Sequence, residues 1–63
     1  MPNTFDAITQ AMIDDDVANG HIGVDAPVWG RYQSLTRAAL EALKPHLGLL
    51  CVAAVDAVLK GET

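Results

Sequence analysis

The apolar residues of this chain recur at helical spacing in three segments, and the first is the narrowest. Phe5, Ile8 and Met12 are spaced to lie on one face of a helix. Asn3 can cap such a helix, because its side-chain oxygen can accept a hydrogen bond from a free amide of the first turn. The pattern predicts a first helix over about residues 4–17.

The second segment has the most regular amphipathic pattern, which predicts a helix over about residues 26–44. Asp25 is placed to cap this helix, and Pro27 is tolerated in a first turn. Pro45 either ends the helix, so that a separate third helix begins there, or kinks one long helix; we favour separation. The apolar face of the second helix is formed by Val28, Trp29, Tyr32, Leu35, Thr36, Ala39, Leu40 and Leu43.

The third segment predicts a helix over about residues 46–60 that is apolar on nearly every side. Asp56 is the only charged residue between Leu47 and Leu59. A helix that is apolar all round is buried on all sides, and a short chain has few residues to surround it. We therefore expect a homodimer packed through this helix. The expected interface residues are Leu49, Leu50, Val52 and Ala53.

Size and cysteine content favour the same interpretation. We expect residues 1–63 to form one small all-α domain of three helices, and domains of this size often need a disulfide, a metal or a partner chain. Cys51 is the single cysteine, so no disulfide forms within the chain, and its apolar neighbours suggest a buried side chain. There is no cysteine and histidine set with zinc-ligand spacing, and we expect no metal and no cofactor.

Negative charge is concentrated in the first half of the chain. Residues 1–27 contain five aspartates and neither Lys nor Arg, whereas residues 28–63 contain four Lys or Arg against three carboxylates. Such a chain suits a protein partner with a basic surface and disfavours direct binding to nucleic acid. The expected partner-binding residues are Asp14, Asp15, Asp16 and Asp25.

Catalysis is not expected. Asp15 to Ala26 faintly resembles a calcium-binding EF-hand loop, but Val17 and Ala26 replace two of its main ligands. No hydroxyl or thiol has a base at a recognisable spacing, and a run of exposed aspartates does not hold carboxylates in contrasting environments.

The leading functional hypothesis is a small acidic binding protein that occupies a basic site, for example a nucleic-acid-binding site, on a protein partner. Phage or mobile-element inhibitors of host defence or regulatory proteins have this general character. No signal peptide or membrane-spanning run is evident, so a cytoplasmic location away from membranes is expected. The alternatives are a structural subunit of a larger assembly, or an oligomeric binder of a nucleotide-like anion. The residues expected to contact such an anion are Trp29, Tyr32, Arg31 and Arg37.

Overall fold

A computed structural model describes residues 3–61, which form three α-helices and, within that range, no strand. Helix α1 spans Thr4–Ala18, α2 spans Trp29–Leu43 and α3 spans Leu49–Leu59. A short 3₁₀ helix at Lys44–His46 follows α2 directly. The all-α, three-helix prediction is confirmed, with the beginnings of α2 and α3 displaced.

Both ends of α1 follow from local sequence. The side chain of Asn3 accepts a hydrogen bond of 2.9 Å from the Asp6 amide, which confirms it as the N-cap. At the other end, the Asn19 side chain donates to the Asp15 carbonyl at 2.8 Å. Gly20 then adopts a φ of 73°, a left-handed conformation that glycine accepts without steric cost.

Helix α2 begins later than predicted, and Asp25 does not cap it. Its N-cap is Val28, which offers no side-chain hydrogen bond, and the prediction of a start at residue 26 is wrong. The reason is local: the Ala26 amide donates to Gly23 at 3.2 Å, and the Val28 amide donates to Ala26 at 2.9 Å. These bonds hold residues 23–28 in turns, so the helix begins only after them.

Helices α2 and α3 are separate, as predicted, but Pro45 is not the point of separation. Lys44 keeps helical angles of φ −53° and ψ −45°, and Pro45 lies within the 3₁₀ helix. The chain becomes extended at Leu47, with φ −113° and ψ 155°, and stays extended at Gly48, the N-cap of α3. The predicted start of the third helix at residue 46 is therefore three residues too early.

The buried centre of the molecule lies between α1 and α2, and two threonines meet there. Thr9 and Thr36 are both 0% exposed, and their hydroxyl oxygens are 2.9 Å apart. Each hydroxyl also lies within hydrogen-bond distance of a carbonyl one turn earlier in its own helix, at 3.0 Å for Thr9 and 2.9 Å for Thr36. Phe5 and Tyr32 are buried beside them.

Many apolar side chains remain uncovered. Trp29 is 38% exposed and Cys51 is also exposed, so the expectation that Cys51 is buried is wrong for the single chain. Leu35 and Leu43 of α2 are each 45% exposed, and Val24 in the loop is 81% exposed. The radius of gyration is 12.9 Å, against about 10.6 Å for a compact domain of this length. One chain is thus elongated, with a small buried interior.

Candidate interaction surfaces

The most exposed apolar surface is one side of α3. Leu49 is 90% exposed and Leu50 is 89% exposed, although both lie inside a regular helix. Ala53 and Ala54 are exposed on the same side, and Ala57 is half-buried. We refer to these residues, Leu49, Leu50, Ala53, Ala54 and Ala57, as the α3 outer face.

The opposite side of α3 holds the helix against the rest of the chain. Val52, Val55, Asp56 and Leu59 are all half-buried, and their spacing places them on one helix face. The carboxylate of Asp56 lies 2.7 Å from the Lys44 ammonium, which joins α3 to the 3₁₀ helix. This ion pair raises the pKa of Lys44. Of the four residues predicted at the interface, Val52 therefore lies on the inner side and the other three on the outer face.

The aspartates predicted to bind a partner are divided by the fold. Asp14 and Asp15 are exposed at the C-terminal end of α1, where the last turn contains no basic residue. The Asp14 carboxylate accepts a hydrogen bond of 2.9 Å from the side-chain amide of Gln10. Asp25 is exposed in the loop between α1 and α2. Asp14, Asp15 and Asp25 remain exposed to a partner; we call the adjacent pair Asp14 and Asp15 the acidic surface.

Asp16 is engaged within the chain. Its carboxylate accepts a hydrogen bond from the Tyr32 hydroxyl and lies 3.3 Å from Nδ1 of His21. The Tyr32 hydrogen bond and then the His21 contact hold the pKa of Asp16 below its ordinary value. The same hydrogen bond raises the pKa of Tyr32. Because Asp16 and Tyr32 belong to different helices, sequence spacing carries no signal for their contact.

A shallow groove of about 260 Å³ lies along α1 and α2. Its single charged group is Arg37, whose guanidinium carbon is 5.4 Å from the centre of the Phe5 ring. The distance and the pairing are typical of a cation–π interaction. The groove is lined by Phe5, Gly30, Gln33, Ser34 and Arg37. Of the four side chains predicted to contact a ligand, the fold thus brings one, Arg37, to this groove.

Neither a metal-binding cluster nor a membrane-crossing helix is found within residues 3–61. No three His, Cys, Asp or Glu side chains in this range are placed to share a metal ion. Within the same range, no helix combines the length and apolar character needed to cross a bilayer.

Comparison with known proteins adds no relative from which a function could be transferred. No model of a known family matches the chain, and neither a curated protein nor a solved structure shows significant similarity to it.

Proposed function

We propose that this chain is a non-catalytic binding protein that forms a homodimer through the α3 outer face and presents its acidic surface to a basic protein partner. The observation that carries the proposal is the exposure of Leu49 and Leu50, at 90% and 89%. Each buried leucine side chain contributes roughly 1.5–3 kcal/mol relative to an exposed one. Covering both in each of two chains is therefore a substantial driving force for association.

The position of Asp14 and Asp15 supports a binding role for the acidic surface. Negative charge at the C-terminal end of a helix opposes the helix dipole, at a cost of a few tenths of a kcal/mol per residue. Both side chains are exposed, so neither contributes to packing of the buried interior. A cluster of such charges attracts a basic surface and favours fast, oriented encounter with it.

A protein of this kind acts by occlusion. Its acidic surface covers the basic residues with which a partner binds nucleic acid, so that the partner loses access to its own ligand. Inhibitors made by phages and mobile elements against host defence or regulatory proteins are one class that works in this way, and we place the chain there as part of the proposal.

Leu49→Glu tests self-association. A charge at this position would enter an apolar interface without a partner, so the association constant should fall by at least about tenfold, whereas the helices of the single chain should persist. Sedimentation of the native chain and the variant at micromolar concentration measures the effect. Val24→Glu is the matched control, because Val24 is 81% exposed outside α3. A monomeric native chain would contradict the proposal.

The paired substitution of Asp14→Asn and Asp15→Asn tests the acidic surface. Binding to immobilised poly-L-lysine should weaken and become less sensitive to salt, because local charge attraction is lost. Asp6→Asn with Glu41→Gln removes the same net charge elsewhere and serves as the control. Equal weakening by the two pairs would mean that total charge, not the α1 end, determines binding.

The groove beside Arg37 favours one second candidate, the binding of a small anion. Arg37 is its single charged group and is exposed. A nucleoside monophosphate that raises the unfolding temperature of the native chain, but not of Arg37→Ala, would support this alternative.

A further inference from the structure

We propose that α3 of a second copy lies antiparallel on the α3 outer face, with Leu50 of each chain packed against Ala57 of the other. This inference rests on the proposed self-association and adds the orientation and register of the two helices. It is carried by the order of large and small residues along the face. The large side chains, Leu49 and Leu50, lie at its N-terminal end, and alanines follow at its centre and C-terminal end.

The antiparallel arrangement fills the space between two such faces evenly. A parallel pair would place leucines against leucines at one end and alanines against alanines at the other, leaving a gap at the alanine end. Interiors pack at high density, and the atoms that line a gap lose their contacts. A two-fold axis between Ala53 and Ala54 instead sets each leucine end against an alanine end. The face is therefore complementary to a second copy of itself, as a two-fold interface requires.

Charge is compatible with a second copy as the occupant. The five residues of the α3 outer face are all uncharged, so two copies of the face meet without like-charge repulsion. Asp56, the one charge within α3, lies on the inner side and is paired with Lys44. Antiparallel helices in contact also place each positive helix N-terminus beside a negative C-terminus, which favours this orientation.

Single cysteines distinguish the two orientations. In a Cys51→Ser background, Ala54→Cys lies beside its own counterpart across the two-fold axis. Ala57→Cys lies opposite Leu50 of the other chain. The Cα atoms of the two Ala57→Cys residues are therefore about 10 Å apart along the helix axis. A disulfide needs Cα atoms within about 7 Å. We therefore expect Ala54→Cys to form a disulfide-linked dimer and Ala57→Cys alone to fail, whereas a mixture of Leu50→Cys and Ala57→Cys chains links as a heterodimer.

The rate of cross-linking under mild oxidation provides the readout, with Val24→Cys in the same background as the measure of random collision. Ala54→Cys should link at least roughly tenfold faster than this control, because pairing raises the local thiol concentration. Circular dichroism verifies that each variant keeps its helices.

Equal linking by Ala57→Cys alone would overturn the antiparallel arrangement. Failure of Ala54→Cys to link, in a chain that sediments as a dimer, would place the interface elsewhere. A native chain that sediments as a monomer would contradict self-association and this arrangement with it. The proposed binding through the acidic surface is tested separately, by the poly-L-lysine experiment.

Discussion

At the scale of single residues, the contact between Asp16 and Tyr32 makes stability depend on pH. Because the pKa of Asp16 is lowered in the folded chain, its contact stabilises the fold above the unfolded pKa of about 3.9. That stabilisation is lost as the pH falls through the lower, folded pKa. Tyr32 has the opposite sign: its raised pKa means that its contribution is present below about pH 10 and is lost as the hydroxyl ionises.

Tyr32→Phe should lower stability near neutral pH and reduce the loss of stability on acidification. The substitution keeps the buried ring but removes the hydroxyl that donates to Asp16. Urea unfolding at about pH 7 and about pH 3, on either side of the ordinary carboxyl range, measures both effects. Asp14→Asn is the control, since the Asp14 carboxylate accepts its hydrogen bond from Gln10, whereas Tyr32 donates to Asp16. A variant with the native pH dependence would show that the hydrogen bond contributes nothing to acid sensitivity.

Hydrophobic spacing predicted only part of the buried centre. Phe5 was placed on the apolar stripe of the first helix, and Tyr32 and Thr36 on the broad face of the second, and all three are buried. Thr9 is not part of the stripe predicted for the first helix, which runs through Phe5, Ile8 and Met12. Its spacing of one turn from Phe5 was the available signal, but only the partner hydroxyl of Thr36 on another helix explains its burial.

At the scale of helices, the ends with one clear capping or stop residue were predictable, whereas ends at which two local arrangements compete were not. The Asn3 side chain caps α1 by accepting from an amide three residues away. Gly20 ends the helix by adopting the left-handed conformation that glycine favours. The start of α2 depends instead on turn hydrogen bonds that compete with the expected Asp25 cap. The predicted break at Pro45 is wrong for a related reason, since the tighter 3₁₀ helix accommodates this proline and the chain becomes extended only at Leu47.

The uniform apolar character of α3 predicted burial on every side but not which side faces inward. The inner side is formed by the half-buried Val52, Val55 and Leu59 together with Asp56, which pairs with Lys44. Lys44 lies outside α3, so no helical periodicity within the segment reports the pairing. Val52 consequently lies inward and Leu49 outward, a distinction that required the fold.

At the scale of the whole molecule, few buried side chains support one chain, so stability should depend on protein concentration. Binding that occurs only in the folded state raises the unfolding temperature by mass action. For a dimer of chains of this size, a tenfold rise in concentration should raise the midpoint by about 3–6 °C. Calorimetry over two dilutions measures the shift, and the Leu49→Glu variant should show none. A constant midpoint in the native chain would contradict linked folding and association.

The attachment of α3 by one half-buried face and one ion pair also determines the order in which the helices open. In a single chain, α3 is the piece held by the fewest buried groups, so its amides exchange with solvent before those at the centre of α1 and α2. The proposed pairing with a second copy would move α3 from the periphery to the middle of the assembly. Amide exchange of α3 would then slow relative to α1 and α2 as the protein concentration rises.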